Sequence, residues 1–531
     1  MRGLLLALCA GCASYRILPL PSTPGPMPVR YEKTRLFFHS VEQDGALARV
    51  FAGPSAILAT VARPESGVFA STDGGGSWAF SPAPAFDAVL FAPRAIYVIA
   101  GARVLRSEDD GASWQGAPAD DPVEALALGP EGILYAIGRG RLHVSADGGH
   151  TFRALAPRIP VKDFRARSMV AIPGAILVSV RGQPAEPQRP SDRFAALLAY
   201  TSSEAVSALA LVDSRETRPG SVRWGTPGDG VYVSRDGGAS FAASGLMLDA
   251  WLVLHDGMLY AVAADPLLQA AALMRRNPDL ASAAEQHLQG ERASAATLRA
   301  ACAFPGRDRL LAGPIATAPI FRSADSGATW AREVDPPLPL VLALREEIER
   351  QSWEPPAAPV DRERRAGQRP TAASARRRGP APAQPGEAAG SRSRRTASAE
   401  TMLSFVDPAR LLAHYNSGLQ LTGISAAYAY APTREYWDAL VGALAAESDA
   451  EGEISLGPGL PDFPQGAAFE LLRSEDRRSW SRIAADPPPA PRGIMAYPES
   501  IAGAKGQAFL VLAGRSRRGE SWRGGWRVAA P

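Results

Sequence analysis

Ser107-Glu108-Asp109-Asp110-Gly111-Ala112-Ser113-Trp114 is a phrase that the chain repeats. It recurs as Ser71-Thr72-Asp73-Gly74-Gly75-Gly76-Ser77-Trp78 and as Ser145-Ala146-Asp147-Gly148-Gly149-His150-Thr151-Phe152. Two more copies are Ser234-Arg235-Asp236-Gly237-Gly238-Ala239-Ser240-Phe241 and Ser323-Ala324-Asp325-Ser326-Gly327-Ala328-Thr329-Trp330. The shared pattern is S-x-D-x-G-x-[ST]-[WF], which at average residue usage arises by chance on the order of once in 10⁶ positions. Every copy follows a short apolar run, such as Val104-Leu105 or Val231-Tyr232-Val233. That context exposes two worn copies: Ser474–Trp480, which has lost a residue and its glycine, and Ser516–Trp522, where arginine replaces the aspartate.

The phrase has the chemistry of a tight turn. An apolar strand enters it. The aspartate accepts hydrogen bonds from backbone N–H groups a few residues on. The glycine supplies a positive φ without steric cost. Serine or threonine starts the outgoing strand, and the final aromatic buries a large flat surface, a packing role rather than a ligand role. The copies begin at 71, 107, 145, 234, 323, 474 and 516. A unit of about 40 residues is a propeller-blade length. Each gap of 89 residues is two units or one unit with a large insertion.

The phrase resembles the Asp-box, or bacterial neuraminidase repeat, of sialidases, sortilin-type receptors, xyloglucan-hydrolysing enzymes and photosystem II assembly-factor relatives. The resemblance covers residues 50–335 well and 455–531 weakly. It implies an all-β propeller of four-stranded blades, seven favoured and six to eight allowed, with the phrase as the hairpin between a blade's third and fourth strands. It says little about activity, because one fold carries many chemistries.

Apolar runs between the boxes read as inner strands: Ala56–Val61, Ala88–Ile99, Ala125–Ile137, Met169–Val180, Trp251–Ala263 and Arg309–Ile315. The blades are expected over residues 46–340, with insertions near 183–228 and 265–305. The second insertion reads as a helical hairpin, because Asp265-Pro266 and Asn277-Pro278 each pair a polar cap with proline at the first helical position. Residues 355–399 hold almost no large apolar residues, and 361–395 carries ten arginines against three acids. Such a segment is expected to be a disordered linker. A helix is expected at Arg434–Glu447, and residues 400–531 should supply degenerate C-terminal blades.

Residues 1–11 have the positive start and apolar run of an export signal. Cys9-Ala10-Gly11-Cys12 resembles a bacterial lipobox, which implies lipidation of Cys12, with cleavage near Ala13 or Ser14 as the alternative. Residues 12–45 would then be anchor and Pro-rich tether. The expected partners are a membrane, through that lipid, and an unknown protein or glycan. The expected place is the bacterial cell envelope: an outer-membrane lipoprotein, or a periplasmic or secreted protein. Cys302 has no mate once Cys9 is cleaved off and Cys12 acylated, so no intramolecular disulfide is expected.

The net charge of +3 gives no reason to expect a nucleic-acid partner, and 46% hydrophobic residues suffice for a large core. No internal run approaches the ~18–20 apolar residues of a membrane span. The sialidase signature of aromatic-Arg-Ile-Pro before the first box is not matched. Tyr15-Arg16-Ile17-Leu18-Pro19 has an extra leucine, and Arg158-Ile159-Pro160 lacks the aromatic and follows the third box. No catalytic, cofactor-binding or metal residue stands out. Tyr428, Tyr430, Tyr436 and Trp437 could line a sugar groove or belong to the core. The reading is a monomeric, non-enzymatic binding or assembly module without cofactors; the alternative is an Asp-box carbohydrate-active hydrolase. An axial funnel with two facing carboxylates and aromatic walls would favour the hydrolase.

Overall fold

The computed structural model describes residues 16–19, most of 47–182, 228–264 and 294–351, residues 222–223, 277–279, 282 and 420–421, parts of 427–441, and then 469–482, 494–504, 507–516 and 521–529. The expectations for Cys12 and the export signal, for most of the first insertion and for the 355–399 linker lie outside the described residues, as does Gly75.

The protein is a mainly-β propeller of four-stranded antiparallel sheets with few helices. Six blades each take their four strands from one run of chain. Sheet I is Leu47–Ala52, Ile57–Val61, Gly67–Ser71 and Ala79–Ser81. Sheet II is Ala88–Phe91, Ile96–Ala100, Arg103–Ser107 and Gln115–Gly116. Sheet III is Ala125–Leu128, Leu134–Gly138, Arg141–Ser145 and Arg153–Leu155. Sheet IV is Phe164–Ile172, Ala175–Gly182, Gly230–Ser234 and Ala242–Ala243. Sheet V is Ala250–His255, Met258–Ala263, Ile320–Ser323 and Ala331–Glu333. Sheet VI is Gln420–Leu421, Ala427–Pro432, Phe469–Ser474 and Ser481–Arg482. A further four-stranded sheet, VII, joins Ile494–Ala504, Gln507–Ser516 and Ser521–Ala529 to Arg16–Pro19 from the other end of the chain.

Burial explains the composition of these strands. A blade packs between two others, so both faces of its middle strands leave water. Gly67–Ser71, Ile96–Ala100 and Gly230–Ser234 are buried at every position and read as unbroken apolar runs, whereas the rim strand Gln115–Gly116 is exposed. Buried clusters cross the seams from sheet I to sheet IV. Phe51, Leu58 and Val68 of sheet I join Val89, Ile96 and Val98 of sheet II. Ile99 and Val104 of sheet II join Leu134 and Ala136 of sheet III. Ile137 and Leu142 join Ile176, Val178 and Tyr232 of sheet IV. Between sheets IV and V the seam is polar: Arg167 grips Asp249 through Nε and Nη2 at 2.5 and 2.7 Å, both side chains buried.

Both 89-residue gaps resolve as one blade with an insertion, since the boxes at Ser234 and Ser323 close sheets that already have their first two strands. This corrects the strand expected over Arg309–Ile315. Sheet V has its inner pair in Ala250–His255 and Met258–Ala263, and Arg307–Ala312 is instead a helix that buries Leu310, Leu311 and Ala312. The second insertion is helical at Pro278, Asp279 and Ser282 and over α1, Ala295–Ala301. Ser294 Oγ accepts from the Thr297 N–H at 3.1 Å and caps α1; Asn277 Nδ2 donates to the Ala301 carbonyl at 2.7 Å and ties the two ends of the insertion together. Arg307–Ala312 is α2, and a third helix, α3, runs Leu338–Gln351. Arg16–Pro19, expected in the tether, is instead part of the ring.

Candidate functional site

The boxes come first, because they decide what is scaffold. In each complete described box the aspartate holds the turn closed. Asp109 Oδ1 accepts from the Ser107 hydroxyl and the Ser113 N–H, both at 2.8 Å, and Oδ2 accepts the Ser113 hydroxyl at 2.6 Å. Asp147, Asp236 and Asp325 repeat this with Ser145 and Thr151, Ser234 and Ser240, and Ser323 and Thr329. Asp73 does so with Ser71 and Ser77. The leading serine then accepts the N–H of the box glycine, at 2.7–2.8 Å, in four copies: Gly111, Gly149, Gly238 and Gly327. All four of these glycines have φ between 81° and 95°.

Each of those glycines lies on the preceding blade. A methyl on Gly238 would stand 2.2 Å from Leu142 of sheet III, and one on Gly327 2.4 Å from Leu177 of sheet IV. Gly111 abuts Leu58 of sheet I, and Gly149 abuts Tyr97 of sheet II. The box is therefore a clasp between blades. Its aromatics Trp78, Phe241 and Trp330 are buried, and Trp114 and Phe152 are half-buried. Arg158, in the near-match to the sialidase signature, bonds Ala239 and Phe241 of the fourth box through its own backbone.

The axis of the ring is occupied by α3. Six consecutive residues, Val341–Glu346, are buried. At about 100° per residue they pass right round the helix, so this stretch has no solvent face. It packs on the first strands of sheets II, V and VI. The Arg49 guanidinium of sheet I donates to the Glu349 carbonyl at 3.2 Å, and Gln351 Nε2 donates to the Leu252 carbonyl of sheet V at 2.9 Å. First strands line the axis, and contact with those of sheets II and V reaches across the ring. Fourteen residues make a helix about 21 Å long, close to the ~20 Å height of a six-residue strand.

The sequence builds this helix plainly. The Pro337 carbonyl accepts the N–H groups of Leu340 and Val341, and Pro339 sits in the first turn, where its missing N–H costs nothing. Leu338–Leu344 then supplies apolar surface for the cluster that includes Val253, Ile320, Ala429 and Leu472. The second half is charged and pairs with itself. Arg345 Nε donates to Glu349 Oε1 at 2.9 Å and its Nη1 to the Leu311 carbonyl of α2 at 2.5 Å. Arg350 bonds Glu346 and reaches Glu347 at 3.4 Å. Burial pushes the Glu349 carboxyl above its ordinary value, opposed by Arg345, Arg49 and Arg350.

Arg477 feels the charge of this helix. It occupies the worn sixth box at φ 58°. Burial holds its guanidinium below the ordinary value, while Glu346 and Asp256 act against that shift. The box still closes, with Asp476 accepting the N–H groups of Arg478 and Ser479, both at 2.8 Å. Of the four aromatics expected in a groove or the core, Tyr428 and Trp437 belong to the core, while Tyr436 and the Tyr430 side chain lie outside the described residues. Trp437 Nε1 donates to the Cys302 carbonyl at 2.7 Å. Burial raises the Cys302 thiol to about 11, so it stays protonated at neutral pH. Sequence reading had singled out neither α3 nor Arg477.

No protein-family profile and no curated protein matches the chain. Among solved structures it is similar to an ancestral GH74 enzyme, at 14% identity and a TM-score of 0.29, over 56% of this chain and 32% of that one. It is also similar to a protein of unknown function from Dyadobacter fermentans, at 10% identity and a TM-score of 0.27, over 93% and 97% of the two chains. The chain thus spans about a third of the length of the GH74 enzyme.

Proposed function

We propose that the chain is an exported, lipid-anchored propeller serving as a non-catalytic binding or assembly module of the bacterial envelope. The observation that carries this reading is the filled axis. Glycoside hydrolysis needs two carboxyl groups flanking a scissile bond with room for a sugar between them. Here Glu346, Glu347 and Glu349 lie on one helix, each within reach of Arg345 or Arg350, and the protein's own chain stands where substrate would enter. Binding is left to the loops at the two ends of the ring, on a rigid scaffold suited to holding them.

A panel of sialosides and β-glucans tests the point. No turnover is expected from the purified protein. Hydrolysis abolished by Glu346→Gln or Glu349→Gln would overturn the proposal. The anchor is tested separately: Cys12→Ser should abolish labelling by a palmitate analogue.

A further inference from the structure

Arg16–Pro19 pairs antiparallel with Trp526–Ala529, Arg16 standing opposite Ala529, as the rim strand of sheet VII. Only Ala13, Ser14 and Tyr15 separate that strand from Cys12. A chain covers at most about 3.3–3.6 Å per residue, so Arg16 lies within about 14 Å of Cys12. A thirty-residue flexible tether would instead reach up to about 100 Å at full extension. The Pro-rich stretch 19–28 follows this strand and so does not lie between anchor and ring.

Charge points the same way. The described strands of sheet VII carry four bases, Arg16, Arg515, Arg523 and Arg527, against the one acid Glu499. Apart from these strands and the arginine-rich 361–395, the chain has seven more acids than bases. An anionic surface therefore repels most of the protein and attracts the region holding sheet VII.

We infer that the protein rests on its membrane by the rim of sheet VII, with anionic phospholipid headgroups as the partner of that rim. The inference rests on the anchor reading for its starting point, but its electrostatic half stands apart from acylation. A rim attached this way lays the propeller axis along the membrane plane and leaves both loop faces open to partners. Each basic residue close to an anionic leaflet strengthens binding about fivefold, and salt screens the effect.

Two experiments test it. In the first, the acylated protein carries one thiol-reactive fluorophore, at Ala529→Cys or at Glu131→Cys in the turn between the first two strands of sheet III, and is reconstituted in vesicles with a headgroup quencher. Quenching several-fold stronger at 529 is expected; equal quenching overturns the inference. In the second, full-length Cys12→Ser protein is sedimented with phosphatidylglycerol vesicles in low and high salt. Replacing Arg515, Arg523 and Arg527 by glutamine should weaken binding on the order of a hundredfold, and replacing them by lysine should not. An unchanged affinity, or loss only on neutralising the arginines of 361–395, overturns it. Circular dichroism melts confirm that the variants fold. A failed palmitate label removes the anchor and leaves the second experiment decisive.

Discussion

Trp78 and Phe509 meet edge to face, with ring centroids 6.0 Å apart and planes at 82°, both buried. Trp78 ends the first box, and Phe509 lies in the second strand of sheet VII, so this pair fastens the first blade to the last sheet. A ring built from separate blades is only as stable as its final seam. Trp78→Ala removes a large ring from a site it fills completely and should cost about 3–5 kcal/mol. Half-buried Trp114 should cost less. Equal losses in urea melts of the two variants would show that the closing seam has no special weight.

The box glycines yield a sharper test. Gly238 has φ 95° and its added methyl would meet Leu142 at 2.2 Å, whereas Gly132, at φ 77°, has open space around it. Gly132→Ala should show only the backbone penalty, about 1 kcal/mol. Gly238→Ala should cost clearly more, and Leu142→Ala should relieve part of the excess in a double-mutant cycle. Purely additive losses would mean that the box does not press on its neighbour.

The box carboxylates predict acid sensitivity. Asp147 is held well below the usual carboxylate range by the Thr151 hydroxyl and N–H and the Ser145 hydroxyl, and Asp236 by Ser240 and Ser234. Asp476 is lowered by the N–H groups of Ser479 and Arg478. At Asp109 and Asp325 burial raises the value, but the bonds from Ser113 and Ser107, and from Thr329 and Ser323, outweigh it. A folded value below the unfolded ~3.9 gives stability that is present above about pH 4 and lost as pH falls through the folded value. The melting temperature should therefore drop steeply below pH 4, and Asp147→Asn with Asp236→Asn should flatten that drop. An unchanged slope in the double variant would rule the boxes out as its cause.

How much of this could be read from the chain depends on how local each feature is. A box is closed by its own residues: Asp109, Ser107 and Ser113 lie within seven positions, so the turn and the propeller were legible. Arg309–Ile315 misled, because a short apolar run suits a buried strand or a buried helix equally. Only the finished hairpin of sheet V shows that no strand is needed there. Leu338–Leu344 carries the same ambiguity. The helix's place on the axis depends on contacts that Glu349 and Gln351 make with Arg49 and Leu252, 300 and 99 positions away. Arg477 read as decay of a repeat, but Glu346 and Arg350 of the distant helix both act on its guanidinium.

The axial helix carries the last prediction. Arg345 is buried between Glu349 and the Leu311 carbonyl. Arg345→Ala leaves the half-buried Glu349 carboxylate without that cation, though Arg49 and Arg350 remain; losing one partner of a fully buried pair costs about 3–5 kcal/mol, so the loss here should fall below that range. Replacing both partners by apolar residues of similar size, Arg345→Met with Glu349→Leu, removes the desolvation penalty along with the attraction. That double variant should be near neutral or more stable than the parent. Leu342, fully buried on the same helix, gives the packing reference: Leu342→Ala should cost about 2–5 kcal/mol. If α3 is an integral axle of the ring, these losses will appear in one cooperative transition of the whole propeller. If Leu342→Ala leaves the global melt unchanged and only opens α3 to hydrogen exchange, the helix is a separable plug. The axis would then be open to a ligand, and the case against catalysis would have to rest on the carboxylates alone.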